Sequence, residues 1–403
     1  MVRIVIINDA GVARGGATGL ALLSARLFAA QGHDVTYLCG DTGDDGTLAG
    51  LGVTVLPMGG AGLLKRSRAS ALRDGLYDAA MRDKVAAAIR DIDTAQTVYH
   101  LHGWAQILSP SIFDALAPVA ARTYVHAHDF FLACPNGSYF DFKAGQTCGR
   151  RPLSAACLTT NCDRRSYPQK LWRALRQAHI RKGAHGRSWA GILNLHPGMT
   201  EGLIRGGVDP ATLITVRNPA ERITTTRVEA ETNRGLVFIG RTYTGKGAGL
   251  LCRAARIAGL PLRIVGAVDD RPDLVAAHPE VDFTGWVDRS EIAASISDRR
   301  ILVMPSRFPE PFGLVAPEGA LSGLPVAVSD VALLAGDVEA AGVGLAVDVT
   351  SPETLADGLR ALHDRPDDEI RAMSLRGFAG AEGVTQTPEA WAEQLLDLYR
   401  AAV

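Results

Sequence analysis

Residues 3–38, RIVIINDAGVARGGATGLALLSARLFAAQGHDVTYL, decide the fold. Ile4–Ile7 is a short apolar run of the length of a buried strand, and a glycine-rich loop follows it. Leu20, Leu23 and Leu27 then recur on one helical face, Gly32 stops that helix, and Val35–Leu38 reads as a second strand. This is a β-α-β unit. Working outward, short β-branched strands recur at Val98–Leu101, Tyr124–Ala127, Leu236–Ile239, Leu262–Val265, Val281–Thr284, Ile301–Met304 and Pro325–Val328, with helical patterns between most of them. Strands alternating with helices build a parallel sheet covered on both faces. Two such series, one on each side of residue 217, predict an α/β protein of two doubly wound Rossmann-like domains facing across a cleft. The turn signal Asn218-Pro219 sets the join, giving domains over 1–217 and 218–385 and a terminal helix within 386–403 that carries Trp391, Leu395, Leu396, Leu398 and Tyr399.

Composition agrees with that division. A chain of 403 residues exceeds what one core usually serves, and 47% hydrophobic with 21% charged residues excludes a disordered or collagen-like polymer. Charged residues interrupt every long apolar run, so no membrane span is expected, and the N-terminal strand argues against a signal peptide. The chain is expected to be cytoplasmic. Its net charge of -1 hides an asymmetry, because residues 1–217 hold 24 Lys and Arg against 16 Asp and Glu, and the remainder holds 18 against 27. A basic first half suits an anionic partner or surface, or simply a solvated face. No nucleic-acid partner is expected.

The chemistry concentrates in the second half. Gly240-Arg241-Thr-Tyr-Thr-Gly245-Lys246-Gly247 follows a strand and leads into a helix, nearly matching the phosphate loop of nucleoside triphosphatases. That loop requires Ser or Thr after its lysine to hold magnesium, and Gly247 has no side chain. What remains is a tight turn bearing two cations, suited to a pyrophosphate without a metal. Further on, Glu310 and Glu318 are separated by seven residues after the strand Ile301–Met304, and Pro317 puts Glu318 in a first helical turn.

Taken together, the Gly240–Gly247 loop, Pro305-Ser306, Glu310 to Leu314 and the Glu310/Glu318 pair resemble the second domain of the GT-B retaining glycosyltransferases of family four. Gly15-Gly16-Ala17 and His128-Asp129 resemble the first-domain loops of that family, and the resemblance covers about residues 1–400. It implies a nucleotide-sugar donor, a glycan or lipid-linked acceptor, bacterial surface polysaccharide or glycolipid assembly as the setting, and a last helix that crosses back to the first domain. Chemistry that needs no metal cofactor is implied too. By the same resemblance, Arg241 and Lys246 hold the diphosphate and neutralise the leaving group, Glu310 contacts sugar hydroxyls, and Glu318 binds the ribose. The backbone of Phe312, Gly313, Leu314 and Val315 lines the sugar–phosphate region, and Gly15 and Gly16 let a backbone approach the donor. His128 positions hydroxyls near the sugar, though His126, two residues earlier, could exchange roles with it. Thr18 stands where relatives often carry an acid.

Two further features need an explanation. Cys134, Cys148, Cys157 and Cys162, in an insertion over 131–165, admit a structural zinc site, free thiols or a disulfide. Residues 164–182 carry seven cations and no acid. Leu171, Trp172, Leu175 and Ala178 are expected on one helix face, with Arg173, Arg176 and Arg181 on the other, which suits either a solvated surface or an anionic membrane leaflet. The competing functions are a P-loop-like nucleotide hydrolase or switch, and a catalytically silent relative that only binds nucleotide-sugars.

Overall fold

A computed structural model describes residues 2–13, 15–43, 46–269 and 271–403. The chain divides into two compact units, one of residues 1–144, 148–217 and 388–403, the other of residues 145–147 and 218–387.

In the first unit, seven strands form one parallel sheet: β1 (Arg3–Asn8), β2 (Asp34–Cys39), β3 (Thr54–Pro57), β4 (Thr97–Leu101), β5 (Thr123–Ala127), β6 (Gly191–Asn194) and β7 (Leu213–Thr215), in the spatial order 3-2-1-4-5-6-7. Ile4 to Ile7 are fully buried, which is why β1 reads as an unbroken apolar run rather than an alternation. Helix α1 (Gly16–Ala30) buries Leu20, Ala21, Ser24, Ala25 and Phe28. Leu23 and Leu27 are only half-buried, so the buried stripe is rotated from the leucine face. The cause is Phe28, which packs edge-on against Tyr399 with ring centroids 5.5 Å apart. Tyr399 belongs to the terminal helix, Pro388–Ala401, whose Trp391, Leu395, Leu396 and Tyr399 are buried in this first unit. The Tyr124 hydroxyl donates to Leu398 O at 2.6 Å and anchors the helix end to β5.

Helix α2 (Tyr167–Ala184) reverses the expected faces. It buries Lys170, Ala174, Arg176, Gln177 and Ile180, while Leu171 is 41% and Leu175 60% exposed. Specific partners outweigh hydropathy here. Arg176 donates to Ala105 O at 2.7 Å and lies over the Trp104 ring, Gln177 donates to Leu132 O at 3.0 Å, and Arg173 pairs with the buried Asp163 at 3.1 Å.

In the second unit, β8 (Gly235–Ile239), β9 (Leu262–Val265), β10 (Asp282–Gly285), β11 (Arg299–Met304), β12 (Val326–Ser329) and β13 (Gly344–Val347) form a six-stranded parallel sheet in the order 10-9-8-11-12-13. Helix α3 (Ala248–Ala258) follows β8, and the short helix α4 (Val315–Leu321) follows β11. Arg300 is wholly buried at the start of β11, satisfied by Asp367 at 2.8 Å and by the carbonyls of His363, Arg365 and Glu231. Both sheets reverse their strand order beside their first strand, at β1/β4 and at β8/β11. Ligands of open α/β sheets bind at the carboxyl ends of strands flanking such a switch point. No helix among the described residues is long and apolar enough to cross a membrane.

Candidate functional site

At the β8/β11 switch point the two loops lock together. Gly247 has φ +76°, and a Cβ there would lie 2.0 Å from Pro305 O, so only glycine fits. This is the physical reason that the loop has no Ser or Thr after its lysine, and it removes the magnesium hydroxyl a P-loop hydrolase requires. Arg307 N–H donates to Gly245 O at 2.8 Å and ties the second loop to the first. Lys246 Nζ pairs with Glu310 Oε1, and the Ser306 hydroxyl donates to Glu310 Oε2. Glu310 is buried at 8% exposure, and these two partners satisfy both its oxygens. Lys246 Nζ also lies 5.6 Å from the centroid of the Phe308 ring.

Of the residues singled out by the sequence, Lys246 and Glu310 are therefore in direct contact. Arg241 lies exposed just after β8, and Glu318 is half-buried in the first turn of α4. Phe312 is buried, and Gly313 has φ +64° with Met304 Sδ 2.3 Å from where a Cβ would stand, so the backbone here turns tightly over the end of β11. Leu314 and Val315 are half-buried. Helix α3 has Gly247 as its N-cap, with no side-chain cap bond and no acid in its first turn.

At the β1/β4 switch point the first unit presents four imidazoles. His100 and His102 leave β4 on one face, His126 and His128 leave β5, and the strands are adjacent and parallel. His100 Nε2 lies 3.1 Å from His126 Nδ1, and His102 Nδ1 lies 3.1 Å from His128 Nε2. The His126 and His128 rings stack with centroids 4.2 Å apart. His100 Nδ1 bonds the Tyr399 hydroxyl. Burial pushes His100, His102 and His126 well below the usual histidine range, and His128 down to about 3, so all four are neutral at pH 7. His128 alone is half-buried rather than buried, with His126 behind it in the core.

Asp129 does not partner His128. Its carboxylate accepts from Phe131 N–H at 2.8 Å, and burial raises its pKa to about 6 against that bond. Gly15 caps α1 with no side-chain bond, Gly16 is the first residue of that helix, and both are exposed. Thr18 accepts from Asn8 Nδ2 at 3.2 Å. Sequence reasoning missed His100, His102 and Asp9. The Asp9 carboxylate accepts from the N–H groups of Gln106, Ile107 and Leu108 at 2.7, 2.8 and 2.9 Å and so shapes the loop after β4. An H-x-H repeated at the ends of two strands was the available signal.

No three of the four cysteine sulfurs lie mutually within 4.8 Å, although Cys162 interacts electrostatically with Cys134, Cys148 and Cys157. Lys170 Nζ lies 3.2 Å from Cys157 Sγ and 3.3 Å from Cys162 Sγ, the Cys134 thiol donates to Asn136 Oδ1 at 3.2 Å, and Arg150 donates to Cys148 Sγ at 3.6 Å. Burial raises the Cys134 thiol to about 11. An ammonium thus stands where a zinc ion would need two of its ligands. Among the described residues, His100, His102 and His126 form the one group of three or more potential ligands with donor atoms mutually within 4.8 Å. That group is three buried imidazoles and includes no carboxylate or thiol.

A family model described as "Glycosyl transferases group 1" matches residues 233–365, the stretch that holds the Gly240–Gly247 loop, Glu310 and Glu318. The chain is 33% identical over 186 residues to a D-inositol 3-phosphate glycosyltransferase of Nocardia farcinica, covering 42% of this chain and 40% of that protein. It is 32% identical over 130 residues to an uncharacterised 41.2 kDa protein of the cps region of Klebsiella pneumoniae, covering 32% of this chain and 31% of that one. The chain spans less than half the length of these curated relatives. Among solved structures, Anabaena HepE in complex with UDP and glucose superposes with a TM-score of 0.69 at 15% identity over 100% of both chains. A sucrose-phosphate synthase from Thermosynechococcus elongatus superposes with a TM-score of 0.68 at 18% identity over 100% of this chain and 99% of that one. The chain therefore has the GT-B fold of two doubly wound α/β domains, and its second unit contains the segment that matches the group 1 glycosyl transferases.

Proposed function

We propose that this protein is a retaining glycosyltransferase of family four that moves a sugar from a nucleotide-sugar to a glycan or lipid-linked acceptor, in bacterial surface polysaccharide or glycolipid assembly. The observation that carries this reading is the Lys246–Glu310–Ser306 arrangement at the β8/β11 switch point, inside the segment that matches the group 1 glycosyl transferases. The relatives named for nucleotide, sugar and glycosyltransferase activity support it.

Breaking a glycosyl–phosphate bond develops negative charge on the departing diphosphate. Lys246, held by Glu310 before the donor arrives, is a fixed cation for that charge, and Arg241 and the start of α3 add to it. Glu310 then has carboxylate oxygens to accept from sugar hydroxyls, and Glu318 one for the ribose. His128, neutral, orients hydroxyls by hydrogen bonding, while Gly15 and Gly16 open the start of α1 to the ligand. No step requires a metal, and Gly247 leaves no room for the hydroxyl that holds magnesium in a P-loop hydrolase.

The test is transfer from a panel of labelled nucleotide-sugars in the presence of EDTA, with the product anomer read by NMR. Retained configuration and EDTA-resistant turnover are expected. Steady triphosphate hydrolysis with magnesium, or donor binding without transfer or slow hydrolysis, would replace this reading with the hydrolase or the silent binder. For a lipid-linked acceptor, α2 offers Tyr167, Leu171 and Leu175 exposed at helical spacing beside Arg164, Arg165 and Lys182. Leu175→Glu should lower co-sedimentation with anionic vesicles without changing transfer to a soluble acceptor.

A further inference from the structure

We infer that His102 is a positioning residue that holds His128 in its Nδ1–H tautomer, so that His128 presents a hydrogen-bond donor, and no proton-accepting lone pair, at the end of β5. The inference rests on the reading of His128 as a ligand-facing group and assigns what that group can do.

The argument starts from one bond and one orphan. His102 Nδ1 and His128 Nε2 are 3.1 Å apart, and one of them must donate. The other nitrogen of His102, Nε2, is buried with no hydrogen-bond partner, in a residue 3% exposed. A neutral imidazole carries one N–H and one lone pair. If His128 Nε2 donated, His102 Nδ1 would be the lone pair and Nε2–H would be an orphaned buried donor, the rarer kind of unsatisfied group. If His102 Nδ1 donates, only a bare lone pair is left inside. His128 Nε2 then accepts, and its proton must sit on Nδ1, on a half-buried ring with no other hydrogen-bond partner among the described residues.

Burial keeps both rings uncharged at pH 7, so the alternative of two protons on either ring does not arise there. The neighbouring pair obeys the same count. His126 Nε2 is likewise buried without a partner, so His126 Nδ1 donates to His100 Nε2, and His100 Nδ1 donates to the Tyr399 hydroxyl. Only in the His102–His128 pair does the accepting ring lie half-buried. A donor at His128 Nδ1 suits a sugar hydroxyl or ring oxygen, and it rules His128 out as the base that takes a proton from the acceptor.

The experiment is a two-bond 1H–15N correlation spectrum of the whole chain labelled with [15N]histidine at pH 7.5, with His128→Gln assigning the His128 signals. The Nδ1–H pattern is expected for His128 in the wild-type protein. In His102→Leu it should give way to Nε2–H or an average of the two tautomers. His102→Asn, which keeps an N–H near the place of Nδ1, should restore it. Turnover should follow, about tenfold lower in His102→Leu with the donor KM unchanged and substantially recovered in His102→Asn. Nε2–H on His128 in the wild-type protein overturns the inference without any variant, as does an unchanged tautomer in folded His102→Leu. A His102-dependent Nδ1–H in a protein that transfers no sugar from any donor supports this inference while overturning the glycosyltransferase reading.

Discussion

The two units place opposite electrostatics at equivalent positions of the same sheet order. Beyond β8 and β11 lie a half-buried ammonium and a buried carboxylate, paired and capped by a hydroxyl. At the carboxyl ends of β4 and β5 stand four uncharged imidazoles, three of them in the core. A cation already held by a carboxylate is preorganised to meet an incoming anion, because neither group has to be desolvated afresh when the partner changes. A stack of neutral rings can only give and take hydrogen bonds. Under the proposed function, the difference becomes a division of labour, in which charge neutralisation falls to the second unit and hydroxyl positioning to the first.

The comparison breaks most visibly at Lys246. Lys246→Ala should lower turnover by roughly 100- to 1000-fold, about 3–4 kcal/mol of barrier, as for loss of a preorganised group that stabilises charge in the transition state. A folded variant with near-normal rates would remove the leaving-group role.

Acid should sharpen the contrast in stability. The folded protein keeps His100, His102 and His126 neutral, while the unfolded chain protonates them near the usual value of 6.5. The unfolded state therefore binds more protons below that pH. The contribution of these residues is complete above pH 6.5 and is lost as the pH falls, at up to about 4 kcal/mol per pH unit for three histidines. Urea unfolding at pH 7.5, 6 and 5 measures it, and a flat profile for the first unit would mean that the rings are not held neutral.

His128→Ala should lower turnover by about tenfold or more while nucleoside diphosphate affinity stays within a factor of two. If His126→Ala is instead the folded but inactive variant, the roles of the two histidines are exchanged. Glu318→Ala carries the smallest expected effect, roughly tenfold weaker nucleoside diphosphate binding with turnover at saturation kept. Isothermal titration separates the two.

The fold was legible because its signals are local. The β-α-β opening, the Asn218-Pro219 turn and the runs at β8, β9 and β11 each announce an element within a few residues. Strands β3, β6, β7 and β13 were not read, since runs of three or four residues such as Gly191-Ile-Leu-Asn194 carry no period to detect. The helix after the cysteines was read face-about because hydropathy sees a cation as surface. Lys170 and Arg176 go inside only because two sulfurs and a carbonyl wait for them there. In the second unit, Lys246 and Glu310 were visible as a motif, though not as an ion pair. The imidazole stack was visible only as His126 and His128, because the parallel register of β4 against β5, which brings His100 and His102 alongside, is a tertiary fact.

Thermal unfolding with and without a nucleoside diphosphate, in EDTA, tests the division of labour most directly when run on the wild-type protein, Lys246→Ala and His128→Ala together. At about 100 times the Kd, a ligand that binds only the folded state adds roughly 2.7 kcal/mol. The account predicts that stabilisation for the wild-type protein and for His128→Ala, and its loss in Lys246→Ala. A wild-type protein that no nucleoside diphosphate stabilises, or a His128→Ala variant that loses the effect as fully as Lys246→Ala, would contradict it.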